Sequence, residues 1–354
     1  MKIRSIRLPA ALGNHGVQAA LMSAVLFGAG TPFAKFLLGN VSPWMLAGLL
    51  YCGSGLGLSV IRLVRRAPRV HLNRSEILPL IGSIVFGGIL GPVLLLVGLS
   101  NMPASGASLL LNAEGVFTAL LAWFVFRENF DRRIALGMLA VVAGAIVITV
   151  PQGIQFGDPW PALAVLGACA SWGLDNNITR KIASTDATWL AAVKGAVAGP
   201  VNLIFAFALG AQLPPIWNIA GALIMGFFAY GISLTLFIVG MRHVGTARAG
   251  AYYSVAPFIG AIIAIAVGEP LTWPLLLAGL LMGIGIWLHL TERHAHEHSH
   301  PAITHNHLHT HDENHQHDHL ESDPLGTRHR HEHHHDVLIH SHEHYPDTQH
   351  RHDH

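Results

Sequence analysis

Charge is scarce in this sequence. Only 12% of its 354 residues are Asp, Glu, Lys or Arg, about half the share of an ordinary soluble domain. That excludes a conventional water-facing globule. The formal net charge of +1 argues against nucleic acid as a partner. Cysteine is nearly absent: Cys52 and Cys169 both lie inside apolar stretches, so no disulfide is expected. No GxxxxGK[ST] loop occurs, so ATP-driven transport within this chain has no phosphate cradle to rest on.

What is present is apolar length. Hydrophobic residues make up 51% of the chain and the mean hydropathy is +0.45, despite a polar tail. A bilayer span takes about 20 apolar residues. By that ruler ten stretches qualify: 16–38, 43–64, 76–99, 104–126, 132–150, 160–180, 187–209, 217–241, 247–267 and 271–290. The run 16–38 follows a basic head, MKIRSIR. It is longer than a signal-peptide core and has no obvious small-residue cleavage site, so an uncleaved first helix is expected.

Lysine and arginine alternate in step with these spans. Lys2, Arg4 and Arg7 precede the first. Arg62, Arg65, Arg66, Arg69 and Arg74 follow the second, and Arg127, Arg132 and Arg133 the fourth. Arg180 and Lys181 follow the sixth, and Arg242 and Arg248 the eighth. The loops after spans three, five, seven and nine hold none. Positive charge marks the cytoplasmic side. Both termini are therefore expected in the cytoplasm and the chain in the cell's inner membrane.

The chain also repeats itself. NMPASGASLLLNAEGVFTALLAWFVFRENFDRR, residues 101–133, has a weaker copy at 243–273, HVGTARAGAYYSVAPFIGAIIAIAVGEPLTW. Ala107 falls on Ala249, Ala119 on Ala261 and Val125 on Val267, and a one-residue slip puts Glu128 on Glu269. Where the first copy has Glu114 the second has Ala256. The first and sixth spans echo each other too, Phe27 with Trp172, Gly28 with Gly173 and Lys35 with Arg180. Five spans per repeat is an odd number, so the halves should be inverted, the plan of many secondary transporters. The 37 glycines include small-xxx-small pairs such as Gly53 with Gly57 and Gly195 with Gly199, read as helix packing.

These motifs carry a resemblance. SAVLFGAGTPFAKFL, GVFTALLAWFVFRENFDRRIALG, SWGLDNNITRK and APFIGAIIAIAVGEPLT resemble the EamA branch of the drug/metabolite transporter superfamily across roughly residues 16–290. The resemblance implies a transporter fold of two EamA repeats, and leaves the substrate open among amino acids, metabolites, drugs and ions. Glu128 and Glu269 match the family's glutamates at the ends of helices four and nine and look structural. The small multidrug members of the superfamily use a glutamate in their first helix, and here that helix has no carboxylate.

The expected architecture is thus an all-α membrane protein. It has a basic N-terminus (1–15), a first repeat (16–150), a second, inverted repeat (151–290) and a disordered cytoplasmic tail (291–354). Ionisable groups inside the bilayer are costly and mark function by default. Glu114 is expected near the middle of its helix as the proton- or cation-handling carboxylate, with Thr118 as a hydrogen-bond neighbour. Asp175, Asn176 and Asn177 cover most of the circumference of helix six, which reads as cavity-lining. Glu114 and Asp175 together suit a divalent cation, or one carries the proton while the other meets substrate. Lys194 pairs with either carboxylate or meets an anionic substrate, whereas Lys35 snorkels to the interface. Tyr252 and Tyr253 line the cavity or pack at the interface.

The tail from Thr291 is a histidine tract, and every His but His15, His71 and His243 lies from His289 onward. Its low aliphatic content predicts disorder. Imidazole alternating with carboxylate suits Ni, Co, Zn or Cu. The candidate ligands are His294, His296, His298, His300, His305, His307, His309, His311, His315, His317, His319, His329, His331, His333, His334 and His335. Similar tails occur on nickel and cobalt exporters.

The leading expectation is a proton-coupled exporter of Ni, Co or Zn, needing no cofactor beyond metal ions on its tail and compatible with a homodimer. An exporter of an amino acid or other small metabolite, with a regulatory or incidental metal-binding tail, is the alternative. A non-transporting metal sensor or store is a further one. No enzymatic chemistry is expected.

Overall fold

The computed structural model describes residues 15–70, 72–126, 132–149, 159–182, 185–244, 246–290, 295–300, 303–309, 329–335 and 338–343. They fall into two compact units, a helical one through Glu292 and a tail unit, Arg293–Tyr345.

The first repeat runs α1 (His15–Leu38), α2 (Pro43–Val64), α3 (Arg74–Ser83), a π-helical stretch Ile84–Leu90, α4 (Gly91–Ser100), α5 (Ala104–Leu110), α6 (Ala113–Phe126) and α7 (Arg132–Thr149). The second runs α8 (Trp160–Thr179), a 3-10 turn Arg180–Ile182, α9 (Ala187–Ala208), α10 (Ile216–Met225), a π-helical stretch Gly226–Ile232, α11 (Ser233–Val244), α12 (Thr246–Tyr253), α13 (Ala256–Ala266) and α14 (Trp273–Leu290). Five of these passages are long and apolar enough to cross a membrane: His15–Leu38, Pro43–Val64, Arg74–Ser100, Ala187–Ala208 and Ile216–His243. Ala135–Ile148, Ala256–Ala266 and Trp273–Leu288 are shorter apolar helices. Leu46, Leu50, Leu96, Leu99 and Leu110 are fully buried, while Phe36, Leu63, Trp217 and Trp273 are largely exposed. Large apolar groups facing outward would promote aggregation in water and match lipid.

Helix contact is closest where side chains are smallest. Gly195 of α9 lies against α2 so tightly that an added Cβ would stand 2.4 Å from the Gly55 nitrogen. One on Gly199 would stand 2.6 Å from the Cys52 nitrogen. Lipid tails supply no hydrophobic drive between helices, so this backbone-to-backbone packing supplies the attraction instead. Cys52 and Cys169 are free thiols.

The two repeats share their irregularities. The π stretches stand apart in sequence by the same interval that relates Ala107 to Ala249. The expected continuous helices 104–126 and 247–267 are both broken instead, between α5 and α6 and between α12 and α13. At the first break the Asn112 side chain donates to the Leu109 carbonyl at 3.0 Å, a local bond that competes with helix continuation. At the second, Pro257 sits in the first turn of α13, where it has no N–H for a preceding carbonyl.

Polar contacts tie helix ends together, and each joins ends that the alternating charge assigns to one face. The Lys35 ammonium donates to the Leu99 carbonyl at 2.7 Å and the Ser100 carbonyl at 3.2 Å, closing the end of α4. Glu269 accepts the Ala104 and Ser105 backbone N–H groups at 2.7 and 2.9 Å, capping α5 from across the bundle. Its counterpart Glu128 lies outside the described residues. Asp186 caps α9 through the Trp189 N–H at 3.0 Å and pairs with Arg62 at the end of α2.

The tail unit corrects the expectation of disorder at four stretches. β1 (Ala295–His300) pairs antiparallel with β4 (Leu338–Glu343), and β2 (Ile303–His309) with β3 (His329–His335). Histidine at every second position has the period of a strand, and ladder pairing satisfies backbone groups that the polar composition alone does not.

Burial alone would push the Asp186 carboxyl up, but the Trp189 N–H and the Arg62 guanidinium outweigh it and hold its pKa below the ordinary aspartate value. A depressed folded-state pKa gives stability that is present above the unfolded value, about 3.9, and lost as pH falls through the folded one. Asp186→Asn should therefore lower the unfolding midpoint at pH about 6 and lose that deficit as the pH approaches about 3. A thermal series in detergent checks this, and parallel curves at all pH values would refute it.

Candidate functional site

One cavity of about 60 Å³ lies inside the helical unit, with walls from both repeats. Phe27, Tyr51, Gly87 and Glu114 come from the first, and Trp172, Asp175, Asn176, Lys194, Tyr230 and Tyr253 are among those from the second. It has room for a few water molecules and is far below the roughly 300 Å³ at which drug-sized ligand pockets begin.

Its floor is an ion pair. Lys194 of α9 donates to Asp175 Oδ2 of α8 at 2.6 Å, with the two side chains only 6% and 9% exposed. The Thr179 hydroxyl donates to Asp175 Oδ1 at 2.9 Å. Thr179 has one proton to give, so the Ser83 hydroxyl, 3.0 Å away, is the donor to Thr179. Both carboxylate oxygens are thus engaged, as a buried charge requires. Space for the pair comes from Gly87 in the first π stretch. A Cβ there would fall 2.0 Å from Asp175 Oδ2 and 2.6 Å from Lys194 Nζ. The Gly87 carbonyl in turn accepts the Tyr51 hydroxyl at 2.6 Å and the Trp172 indole N–H at 3.2 Å. Asn202 donates to the next carbonyl, Gly88, at 3.1 Å. Departing from the i→i+4 ladder leaves backbone acceptors for side chains, and π stretches recur at functional sites for that reason.

Glu114 stands on the opposite strand of polarity. The break before α6 moves it from the expected mid-helix position into that helix's first turn, where the macrodipole favours a carboxylate. Asn176 of α8 donates to Glu114 Oε1 at 2.8 Å and lies 3.4 Å from the Thr118 hydroxyl. Asn177 spends its amide on the Gly173 and Thr118 carbonyls, at 2.8 and 3.2 Å, which stitches α8 to α6.

Aromatic rings close the remaining walls. Phe27 meets Trp172 edge-on at 5.7 Å, Tyr230 at 5.9 Å and Tyr253 at 5.6 Å. Tyr51 lies 5.3 Å from Tyr230, and Phe237 lies 4.7 Å from Tyr253.

The geometry brings together most of the residues singled out in the sequence. Glu114, Asp175, Asn176, Lys194 and Tyr253 line the cavity, with Thr118 beside Asn176. Tyr252 is not among the lining residues. Lys194 takes Asp175 and not Glu114, so Asp175 is not a free second carboxylate. Among the described residues no three His, Cys, Asp or Glu side chains converge on a common point, and the Glu114 and Asp175 divalent site has no third ligand of that kind. Of the histidines named above, His294, His311, His315, His317 and His319 lie outside the described residues. The rest stand in the tail strands, where His305, His307 and His309 register opposite His333, His331 and His329, and His296 and His298 opposite His342 and His340.

Sequence reasoning missed Gly87, Tyr51 and Tyr230. It noted Phe27 and Trp172 only as an echo between repeats. That echo was a signal, because residues related by a pseudo-axis meet where the repeats meet.

A family model described as the EamA-like transporter family matches residues 14–150 and 159–291. A Methanothermobacter thermautotrophicus protein described as an uncharacterized transporter is 26% identical over 294 residues, 77% of this chain and 85% of that one. The uncharacterized transporter YyaM of Bacillus subtilis is 21% identical over 278 residues, 74% of this chain and 89% of its own. A solved crystal structure aligns with a TM-score of 0.61 at 18% identity, covering 77% of this chain and 95% of that one, which shows a shared fold.

Gly87→Ala should drive Asp175 and Lys194 apart and destabilise the protein by about 1–3 kcal/mol, the usual cost of overpacking. Gly82→Ala, whose Cβ would meet only the end of the Ile178 side chain at 3.2 Å, should cost far less. Unfolding midpoints of the two variants in one detergent decide it, and equal losses would remove Gly87 from the site.

Proposed function

The chain belongs to the EamA-like transporter family, and from that premise we propose that it is a secondary transporter that exchanges a small organic solute for protons. The observation that carries this reading is a cavity walled by both repeats, in which a carboxylate, an ion pair and a ring of aromatics converge. In the proposed topology ten spans form two inverted repeats in the inner membrane, with both termini cytoplasmic. Alternating access then rocks one repeat against the other around a fixed central site.

Glu114 is the coupling carboxylate. It stands at a helix start, held by Asn176 Nδ2 at one oxygen, and gains or loses its proton without disturbing the ion pair of Asp175. Aromatic walls favour an organic cargo, because rings contribute apolar area and π faces and none of the imidazole or thiolate that Ni, Co and Zn prefer. Of the His, Cys, Asp and Glu side chains that hold transition metals, the described lining offers only Glu114 and an already paired Asp175. The relatives are transporters whose printed descriptions give no cargo.

A second reading concerns the tail. The composition of the tail, imidazole alternating with carboxylate from His294 onward, favours it as a transition-metal binder, since neutral imidazole is a common ligand for Ni, Co and Zn. Its role would then be to collect, sense or buffer metal on the cytoplasmic side.

Flux assays in proteoliposomes under an imposed pH gradient test both readings. Uptake of a panel of amino acids and amines should be driven by the gradient in wild type and fall at least about a hundredfold in Glu114→Gln, which keeps the shape and removes the titrating proton. Gradient-driven Ni, Co or Zn flux that Glu114→Gln abolishes and truncation after Thr291 only weakens would overturn the organic-solute reading in favour of metal export.

A further inference from the structure

The Asp175 and Lys194 pair is the one group in the cavity that already carries both signs of charge. Among the described residues each partner's ion-pair contact is with the other: Lys194 Nζ with Asp175 Oδ2 at 2.6 Å. Asp175 Oδ1 is held separately by Thr179. The pair therefore has one contact to give up, and giving it up exposes one anion and one cation to the same space. Around it stand Trp172, Tyr51 and Tyr230, whose own polar atoms do not replace an ion, and Gly87, on whose backbone the pair packs where a Cβ would overlap it.

Opening this pair toward a ligand of single charge is unfavourable. A pure cation could take Asp175, but it would leave the Lys194 ammonium buried and bare. A pure anion could take Lys194, but it would strand Asp175. Removing one partner of a buried pair is among the most destabilising changes known in proteins. A ligand carrying an ammonium and a carboxylate a few bonds apart avoids both outcomes. Its ammonium meets Asp175 Oδ2, its carboxylate meets Lys194 Nζ, and every charge has a partner before and after.

We propose that Asp175 and Lys194 are the two subsites for a zwitterionic cargo of the α-amino-acid type, which binds by splitting their ion pair. The inference rests on the reading of this cavity as the transport site. In the unloaded protein the pair acts as its own occupant, and Asp175 remains held at its other oxygen through Thr179 and Ser83. Cargo exchange thus conserves the net charge of the cavity, and the proton on Glu114 becomes the only change of charge in the cycle. A cargo of glycine size requires the closed pair to part, and a larger side chain also needs the aromatic wall of Phe27, Tyr230 and Tyr253 to move.

Calorimetric titration of the full chain in lipid nanodiscs tests it with three matched sets. Glycine is compared with methylammonium and acetate, alanine with ethylammonium and propionate, and leucine with isopentylammonium and 4-methylpentanoate. At least one amino acid should bind wild type about tenfold or more tighter than both of its singly charged relatives. Lys194→Gln should shift the preference to the matched amine, and Asp175→Asn to the matched acid. The exchanged pair Asp175→Lys with Lys194→Asp should restore the amino acid's lead. Single variants that leave a bare buried charge risk misfolding, and in that event the wild-type ranking and the exchanged pair decide alone. An amine or acid that binds wild type as tightly as its amino acid overturns the proposal, as does an unchanged order in Lys194→Gln. Failure of all three sets to bind overturns it too. In that case the transporter reading still stands if proton-driven flux of another organic solute is lost in Glu114→Gln, and falls if no organic solute moves.

Discussion

A charge inside a hydrocarbon-bounded protein has no water to turn to, and much of this structure follows from that constraint. The ion pair of Lys194 with Asp175 is its sharpest expression. The pair dictates a glycine at 87, because a Cβ there would overlap the Asp175 carboxylate and crowd the Lys194 ammonium. It dictates the hydroxyl relay of Ser83 and Thr179, because the second carboxylate oxygen must also be served. The same constraint acts at helix ends, where backbone groups lack partners within the helix. Glu269 serves the start of α5 and Lys35 the end of α4, so charged residues that a hydropathy plot counts against the membrane are consumed in closing helices.

Irregular backbone is the second consequence. Non-helical geometry at membrane depth is tolerated only where protein lines it. Here the breaks before α6 and α13 and the two π stretches surround one cavity. The first break sets Glu114 at a helix start. The first π stretch presents the Gly87 and Gly88 carbonyls to Tyr51, Trp172 and Asn202. The second sets Tyr230 over Phe27 and Tyr51. Two copies of one irregular scaffold thus supply different chemistry, acceptors from one and a ring from the other.

The spans, the duplication and the polar residues of the site were legible because each leaves a one-dimensional trace. Apolar length, alternating basic loops and rare intramembrane charge are visible without coordinates. The partner of Lys194 was not legible, since Asp175 and Glu114 were equally available in sequence and only the crossing of α8 and α9 separates them. The helix breaks were written in Asn112 and Pro257, yet the surrounding apolar run outweighed both as a signal. Gly87 was hidden among many packing glycines. Its distinction lies in facing an ion pair, where Gly53, Gly55 and Gly195 face backbone and Gly48 and Gly57 face apolar side chains. The tail misled in the other direction: a composition without a core suggested disorder, while its two-residue period suits a strand.

Duplication also explains why the site is lopsided. Gly28 and Gly173, equivalent in the two repeats, each lie against the other break region or the turn after it. A Cβ on Gly28 would be 2.3 Å from the Ala256 carbonyl oxygen, and one on Gly173 would be 2.9 Å from the Phe117 Cβ. The scaffold therefore holds both breaks in the same way. Only one of them carries an ionisable group, because Glu114 in the first copy corresponds to a buried alanine, Ala256, in the second. Two carboxylates related by the pseudo-axis would repel each other across a small, poorly screened space. With Ala256 in the second copy, Glu114 is the one carboxylate among the described cavity-lining residues that stands outside the neutral pair of Asp175 and Lys194.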